Sequence, residues 1–267
     1  MRFIRCSYQQ KKIWGLVEGN FIRMIKGSPF KGGWVPTEET IPLAGASLLP
    51  PCNPSKIVCV ALNYRDHARE LGMALPDEPL LFLKPPSSVT GSGQKIVYPR
   101  CSRQIDYEGE LAVVIKEKTR YVAETEAKSK ILGYTCGNDV TARDLQKKDG
   151  QWTRAKSFDT FCPLGPFLAV DLNPDCLGIK VTVNGKIRQD SSTREMIFPV
   201  TQLVSYISFV MTLYPGDVIM TGTPFGVGPL EVGDYVSVEI EGIGSLTNEV
   251  VPEGCRFGRQ TLQNQGF

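Results

Sequence analysis

Three acidic residues in this sequence stand where their side-chain oxygens can meet around one cation. Glu108 and Glu110 are two positions apart and lead into the apolar run Leu111 to Ile115. Because alternate side chains share one face of a strand, both carboxylates are predicted to project from the same face. Asp139 follows a second short segment of β-like sequence. Convergent carboxylates repel each other unless a cation lies between them, so the pattern predicts a cation site.

The chemistry of these donors favours a hard divalent ion. Three oxygen ligands without cysteine or histidine suit Mg2+, Mn2+ or Ca2+ and fit zinc poorly. The alternative interpretation is structural, since two glutamates that flank a glycine at the start of a strand are often a solvated sheet edge. The spacing alone leaves both interpretations open.

The only histidine of the chain, His67, has an acidic neighbour at helical spacing. Asp66 is predicted to cap a short helix, and Gly72 is predicted to end it in the left-handed conformation. On such a helix His67 and Glu70 lie on one face. A carboxylate beside an imidazole orients the ring and raises its basicity, so the pair is predicted to act as a general base. The alternative is a surface histidine with an accidental acidic neighbour.

Composition limits the classes of function. The chain has 267 residues, enough for one large domain with a small appendage. Its net charge is only +2 and no basic run is interleaved with aromatic residues, so no nucleic-acid partner is expected. No apolar stretch reaches the length of a membrane span. The eight cysteines form no Cys-x-x-Cys pair and the first residues lack a signal-peptide core. We therefore expect buried free thiols and a cytoplasmic location.

The chain divides into two predicted domains. Residues 1–50 alternate short apolar runs with turns, which predicts a small N-terminal β domain containing an antiparallel meander. Prolines between residues 36 and 54 then indicate a linker. A larger domain is predicted over residues 55–255.

Strand patterns dominate this larger domain, and an Asn-Gly pair at 184–185 predicts a hairpin turn. Helical spacing is found in two segments, residues 125–132 and residues 199–213. The fold class is therefore predicted to be α+β and mainly β, with a single core. The predicted strands are Ile57 to Leu62, Ile96 to Tyr98, Leu111 to Ile115 and Tyr235 to Ile240.

Taken together, these segments resemble the fumarylacetoacetate hydrolase family. The resemblance covers about residues 55 to 251, and the first 50 residues look like the small N-terminal domain of longer bacterial members. No single motif is decisive, but the ordered set is specific. The matching motifs are Asn63-Tyr64 through His67 and Glu70, Lys84-Pro85, Asp106-Tyr107-Glu108-Gly109-Glu110, Asn138-Asp139 through Arg143-Asp144, Lys156 to Asp159, Asn184-Gly185, Pro215-Gly216-Asp217 and Thr221-Gly222-Thr223-Pro224.

The resemblance implies a fold, a cofactor and a substrate class. The fold would be a mixed β-roll or barrel core, usually in a homodimer. The cofactor would be Mg2+ or Mn2+, held by Glu108, Glu110 and Asp139. The substrate would be a small 2-oxo acid or a 1,3-dicarbonyl compound.

The same resemblance gives roles to the catalytic candidates. The metal would act as a Lewis acid that stabilises the enolate left when a C–C bond breaks. Lys156 would place a second positive charge at that oxygen, where charge develops. His67 with Glu70 would deprotonate water for hydrolysis, or move a proton for isomerisation. The alternative for Lys156 is an ordinary surface lysine.

Three further residues are candidates for binding the substrate. Arg143 and Gln146 follow Asp139 by four and seven positions, so on a helix they would share its face and reach a substrate carboxylate. Thr223, in a turn with glycines nearby, could hydrogen-bond the same end of the substrate. The alternative for Arg143 is a structural ion pair with Asp144 or Asp139.

The leading functional prediction is metal-dependent cleavage of a C–C bond in a 2-oxo acid, as in an acylpyruvate hydrolase or an oxaloacetate decarboxylase. The second is an isomerase or decarboxylase acting on an unsaturated dicarboxylate in aromatic-acid catabolism. A third is a metabolite-binding protein without catalysis. The intact set of His67, Glu70 and metal carboxylates argues against this third reading.

Overall fold

Strands make up most of the secondary structure of this protein, whose computed structural model describes residues 1–30 and 32–254. The last residue of the predicted larger domain, Cys255, lies outside the described residues. The first ten strands are β1 (Arg2–Tyr8), β2 (Lys11–Glu18), β3 (Phe21–Lys26), β4 (Val35–Pro42), β5 (Ser47–Leu48), β6 (Ile57–Ala61), β7 (Leu80–Lys84), β8 (Val89–Gly91), β9 (Lys95–Tyr98) and β10 (Ile105–Tyr107). The others are β11 (Gly109–Ile115), β12 (Ile131–Asn138), β13 (Thr141–Ala142), β14 (Cys162–Ala169), β15 (Gly178–Val183), β16 (Lys186–Ser192), β17 (Val218–Met220), β18 (Gly228–Leu230), β19 (Tyr235–Ile240) and β20 (Gly244–Pro252).

The helices are few and short, and none in the described part of the chain has the length and apolarity that a membrane crossing needs. The cysteines in that part are all free, and five of those seven are buried, as predicted. The homodimer and the cytoplasmic location stay predictions. The α-helices are α1 (Arg65–Leu71), α2 (Glu124–Ala127), α3 (Arg143–Asp149), α4 (Thr153–Lys156) and α5 (Val200–Val210).

The strands form three sheets. The largest has twelve strands in the order β4-β3-β2-β1-β14-β12-β11-β17-β6-β7, with β5 added on β1 and β8 on β14. A five-stranded sheet has the order β16-β15-β19-β20-β9, and a three-stranded sheet has the order β13-β10-β18. Most pairs are antiparallel, while β6 with β17, β8 with β14 and β9 with β20 are parallel. The mainly-β class is therefore confirmed, but the large sheet is open between β4 and β7 in the described residues and closes no barrel.

The N-terminal meander is present, but it is not a separate sheet. Strands β1 to β4 pair in order, and β1 also pairs with β14 of the larger sheet. The predicted linker is wrong at its start, because β4 contains Pro36 and Pro42. Strand β4 is an edge strand, where a proline that cannot donate a hydrogen bond is tolerated.

Strand β11 lies at the centre and is buried on both faces, which explains its continuous apolar run. Leu111, Val113 and Ile115 pack in the core with α5 and the five-stranded sheet. Ala112 and Val114 pack on the other side, with residues of β14 and β17. By the same alternation, the glutamates before Leu111 project from the face of Ala112 and Val114.

Local sequence signals set several elements correctly. Asn184 and Gly185 both have positive φ values, 52° and 75°, and join β15 to β16 in the predicted hairpin. Helix α5 buries Val200, Leu203, Val204 and Ile207, which are the positions at helical spacing that face the core.

Two helix predictions need correction. The helical pattern of residues 125–132 yields only α2 and one 3-10 turn, because Ile131 and Leu132 already belong to β12, in which Ile131 pairs with Ile115 of the central strand. Helix α1 begins at Arg65, so Asp66 is inside its first turn and is not the cap. Its carboxylate instead accepts hydrogen bonds from the His67 amide and the Ser191 hydroxyl. Gly72 ends the helix with φ 64° and ψ 28°, the predicted left-handed conformation.

Candidate active site

The three predicted carboxylates meet beside the central strand. Glu108 lies between β10 and β11, Glu110 lies in β11, and Asp139 follows β12. The pairing of β11 with β12 places Gly109 opposite Asn138, and the Asp139 amide donates to the Glu108 carbonyl at 2.9 Å. One oxygen from each carboxylate lies within 4.8 Å of the others, and all three residues are buried. The interpretation as a solvated sheet edge is therefore wrong.

Gly109 explains how two glutamates so close in sequence share the site. Its own side of the strand faces the five-stranded sheet, where a Cβ would lie 2.3 Å from a methyl carbon of Val181. Only glycine fits this approach. The side chains of Glu108 and Glu110 therefore project to the opposite face, and the Gly109 amide is held by the Gln189 side chain at 3.0 Å.

Two buried lysines hold Asp139 from both sides. Lys156 Nζ lies 2.5 Å from Asp139 Oδ2 and 3.1 Å from Glu108 Oε2. Lys84 Nζ lies 2.5 Å from Asp139 Oδ1 and 3.0 Å from the Val140 carbonyl. Lys156 is thus not a surface lysine. Sequence reasoning had assigned no role to Lys84, although a lysine that ends the apolar run Leu80 to Lys84 was a signal that its charge needs a buried partner.

The charges in this cluster shift its pKa values in opposite directions. Burial raises the pKa of Glu108, but the charges of Lys156 and Arg143 outweigh burial and lower that pKa to about 2. Burial, together with the charges of Asp139 and Glu108, raises the pKa of Glu110 well above its ordinary value. Burial lowers the pKa of Lys156, but the charges of Asp139 and Glu108 reverse this and raise it. The surroundings of Glu110 therefore favour its neutral form, and those of Glu108 favour its charged form.

A count of buried charges shows why Glu110 differs. The cluster contains four buried acids, and three cations contact three of them. Among the described residues Glu110 forms no ion pair, and its carboxylate accepts a hydrogen bond from the Gly222 amide at 2.8 Å. With all four acids ionised, the site thus has one negative charge more than its lysines and arginine balance. The four acids are Asp106, Glu108, Glu110 and Asp139, and the three cations are Lys84, Arg143 and Lys156.

This arrangement fits a divalent metal ion. The donors are all carboxylate oxygens, the surplus charge is negative, and the three groups converge. Hard ions such as Mg2+ and Mn2+ prefer such oxygen ligands. The residues that would hold the ion are Glu108, Glu110 and Asp139, as predicted from the sequence.

Arg143 contacts the same cluster from the start of α3. Its Nε lies 2.8 Å from Asp106 Oδ2, one terminal nitrogen lies 2.5 Å from Glu108 Oε1, and the other donates to Gln146 Oε1 at 2.7 Å. The alternative of an ion pair with Asp144 or Asp139 is wrong in its partners. Asp139 lies outside α3, and Asp144 instead accepts hydrogen bonds from the Ser102 hydroxyl and the Arg103 amide. Arg143 instead links Gln146 to Glu108 across the site.

The His67–Glu70 pair lies beside this cluster on α1. His67 Nδ1 is 2.8 Å from Glu70 Oε2, and the other oxygen of Glu70 accepts a hydrogen bond from the Gly226 amide at 3.0 Å. Glu70 is therefore fixed by the turn that follows Pro224, and it orients the imidazole. The remaining ring nitrogen, Nε2, is the one left to take up or release a proton.

Thr223 is held in a buried network that sequence reasoning did not foresee. Its hydroxyl donates to the Gly109 carbonyl at 2.9 Å and accepts from the Gln189 side chain at 2.9 Å. Gln189 comes from β16 and also binds the Gly109 amide, so it joins the start of β11 to the turn of Thr223. The sequence gives no signal for this role, because the burial of Gln189 in a strand of exposed and half-buried residues is visible only in the structure.

One cavity of about 410 Å³ collects these groups. Eight of the nine residues predicted from the sequence line it, and the ninth, Glu70, contacts it through His67. A larger and more open cavity lies elsewhere, between residues such as Gln94, Phe158 and Val251, and contains none of the nine. The eight are His67, Glu108, Glu110, Asp139, Arg143, Gln146, Lys156 and Thr223.

Comparison with known proteins agrees with this geometry. Residues 56–251 match the family model described as "Fumarylacetoacetate (FAA) hydrolase C-terminal", and residues 1–51 match the model "Rv2993c-like, N-terminal". A mitochondrial oxaloacetate tautomerase of Bos taurus is 43% identical over 216 residues, which cover 76% of this chain and 69% of the relative.

Two solved structures extend the comparison. A 2-hydroxyhepta-2,4-diene-1,7-dioate isomerase from Mycobacterium marinum superposes with a TM-score of 0.88 and 45% identity, covering 95% of this chain and 99% of that one. A maleylpyruvate hydrolase from Sphingobium sp. SYK-6, solved with manganese(II) and pyruvate, has a TM-score of 0.80 and 31% identity, covering 94% and 99%. Relatives of this chain are thus enzymes of several reaction types, and one of them binds Mn2+.

Proposed function

The chain belongs to the fumarylacetoacetate hydrolase family, and we propose that it is a metal-dependent enzyme that cleaves a C–C bond in a small 2-oxo acid or 1,3-dicarbonyl compound through an enolate. One observation carries the proposal. Three buried carboxylates and Lys156 converge in the same cavity as His67, whose ring Glu70 orients. That set can stabilise negative charge on a substrate oxygen and move a proton nearby.

The metal site would be formed by Glu108, Glu110 and Asp139. When bound there, Mg2+ or Mn2+ supplies a Lewis acid for oxygens of the 2-oxo acid head group. Binding of the ion requires Glu110 to lose its proton, because its pKa is raised by burial and by the two neighbouring carboxylates. Lys84 keeps Asp139 in place from the side opposite Lys156.

Lys156 would stabilise the developing enolate oxygen. Its ammonium group is buried, and the charges of Asp139 and Glu108 raise its pKa, so it stays protonated throughout the reaction. A fixed positive charge in a site that excludes water is most effective where negative charge appears in the transition state. Arg143 and Gln146, which line the same cavity, would bind the substrate carboxylate, with Thr223 completing that end.

His67 would move the proton. Glu70 holds its Nδ1 at 2.8 Å, so Nε2 is the atom that accepts a proton from water or from a substrate carbon. In a hydrolase the resulting hydroxide attacks the carbonyl carbon next to the bond that breaks, and the enolate takes the electron pair of that bond. A proton then returns to the enolate carbon and gives the keto product.

Proton transfer without C–C cleavage is the second candidate function. It needs the same enolate and the same His67–Glu70 pair. The names of the Bos taurus tautomerase and the Mycobacterium marinum isomerase, at 43% and 45% identity, favour it. The two candidates differ in their products and not in their site.

Product analysis separates the candidates. Purified protein with Mg2+ or Mn2+ is incubated with oxaloacetate, acetylpyruvate and fumarylpyruvate. Pyruvate release is followed with a coupled assay and enol–keto exchange by ultraviolet absorbance. Pyruvate formation that stops after metal chelation supports cleavage, and metal-dependent exchange without pyruvate supports tautomerisation. No metal-dependent change in any of the three compounds would contradict both.

Oxalate tests the enolate mechanism itself. It resembles the planar enolate of pyruvate and cannot react, so it should inhibit competitively. Lys156→Met should weaken oxalate binding and slow turnover together, because one charge serves both. The exposed Lys128→Met is the matched control and should change neither. Failure of oxalate to inhibit at concentrations far above the substrate KM would refute the mechanism.

A further inference from the structure

The cavity that holds the catalytic groups has two chemically different ends. Its floor is charged and buried, since Glu110, Asp139 and Lys156 are each at most 2% exposed. Its mouth is apolar and open, since Leu71 and Leu80 line it and are 52% and 59% exposed. A substrate whose polar head lies at the floor therefore extends its other end past hydrocarbon.

Aromatic side chains connect these two ends. Phe82 packs edge-on against Trp152 with ring centroids 5.2 Å apart, and both line the cavity. The Lys156 ammonium lies 4.9 Å from the centre of the Phe82 ring. The apolar wall thus begins directly next to the charge assigned to the enolate and continues outward to Met73 and Leu80.

The two cations of the described cavity lining lie at the floor, where the proposed function uses them for the enolate oxygen and the head-group carboxylate. Lys156 contacts two carboxylates, and Arg143 contacts two carboxylates and Gln146. The segment that forms the mouth, residues 70–80, contains three acidic residues and no lysine or arginine. None of these acids lines the cavity, so a second carboxylate at the far end of a substrate would meet hydrocarbon and no cation of the described lining, which disfavours it.

We propose that the mouth lined by Leu71, Met73, Leu80 and Phe82 binds an apolar acyl group, so that the preferred substrates are monocarboxylate 2-oxo acids with a hydrocarbon tail. This rests on the proposed function for the head group and adds the chemistry of the tail. It separates the chain from the dicarboxylate for which the Mycobacterium marinum isomerase is named.

Binding of unreactive analogues tests the tail separately from catalysis. N-alkyl oxamates carry a 2-oxo acid head and a hydrocarbon tail of adjustable length, and their affinity for the Mg2+-loaded protein is measured by calorimetry. Each methylene that the mouth covers should lower the Kd about fourfold, the factor that corresponds to burying one methylene. An oxamate of equal length that ends in a carboxylate should bind at least tenfold more weakly.

Variants of the mouth provide the matched comparison. Met73→Ser should reduce the gain per methylene, because Met73 lines the cavity. Leu75→Ser is the control, since Leu75 is on the same segment and similarly exposed at 51% but does not line the cavity. Met73→Lys should shift the preference toward the carboxylate-terminated oxamate by about two- to fivefold, the range of an exposed ion pair.

The outcomes distinguish this inference from the proposed function. A Kd that does not change with chain length, or tighter binding of the carboxylate-terminated oxamate, overturns the inference and leaves the head-group chemistry standing. Equal effects of Met73→Ser and Leu75→Ser overturn it as well. If no oxamate binds and no 2-oxo acid is turned over, the proposed function fails and the inference fails with it. The same preference is expected in turnover, with kcat/KM higher for hexanoylpyruvate than for fumarylpyruvate.

Discussion

Replacing Lys84 by methionine should strongly destabilise the folded protein, although Lys84 does not line the cavity. Lys84 and Asp139 both have fully buried side chains, and their charged atoms are 2.5 Å apart. Methionine keeps most of the volume but removes the charge. Asp139 would then depend on Lys156 alone, which it already shares with Glu108. Breaking a buried ion pair by removing one partner costs about 3–5 kcal/mol, and we expect a loss of that size in the free energy of unfolding.

The assay is urea unfolding followed by tryptophan fluorescence, with a metal chelator present. Lys130→Met is the control, because Lys130 pairs with Glu117 at the surface and such pairs contribute about 0–1 kcal/mol. Saturating Mg2+ should restore part of the loss in Lys84→Met, since a bound cation supplies positive charge beside Asp139. A loss no larger than that of the control would refute the argument. A large loss that Mg2+ leaves unchanged would attribute it to packing instead of charge.

Three further predictions follow from the same contacts. His67→Ala should lower kcat by about 10²–10⁴-fold, while metal affinity, measured by calorimetry, stays unchanged. Glu70→Gln should lower kcat less, because Glu70 only orients the imidazole ring. Mg2+ affinity should rise with pH and then level off, because the raised pKa of Glu110 keeps its carboxyl protonated at lower pH, and a pH-independent affinity would contradict this. Asp217→Ala should cost about 3 kcal/mol, because its carboxylate accepts from Ser55 and pairs with Lys56. Burial raises the pKa of Asp217, but its hydrogen bonds outweigh burial and lower that pKa in the folded protein. The stability that Asp217 contributes is therefore fully present above its unfolded-state pKa. It is lost as the pH falls through the folded-state pKa. Unfolding curves measured at several pH values should show that difference between wild type and Asp217→Ala shrinking in acid.

Sequence patterns correctly predicted the turns, strands and helices whose conformation depends on neighbouring residues in the sequence. The Asn184-Gly185 turn, the buried run of β11 and the apolar stripe of α5 each contain the information for their own structure. The errors occurred where the conformation of a segment depends on a strand that is distant in the sequence. The pattern at Ile131 and Leu132 predicts the end of a helix, yet both residues begin β12, which pairs with β11. The prolines of β4 read as a linker, yet β3 accepts them at a sheet edge.

The same distinction applies to the site. The nine site residues could be predicted because each carries a chemical signal in its own sequence neighbourhood. The family resemblance then indicated that they belong to one site. Gln189 and Asp106 carried no such signal. Gln189 acts by holding Gly109 and Thr223 in place, and Asp106 by pairing with Arg143, so both work through residues far away in the sequence.

The excess of buried acid explains why the fold tolerates so many charges in one place. Burying a charge without a partner is costly, and three cations offset three of the four acids. Glu110 is the remainder, and its pKa is raised because burial and its carboxylate neighbours favour the neutral form. A divalent cation would remove that penalty, so part of its binding energy would appear as stability of the fold. The excess of buried acidic groups over cations, which destabilises the cluster without a metal ion, is thus the physical reason to expect an ion there. Lys84 and Arg143 limit this excess to what a single ion can offset.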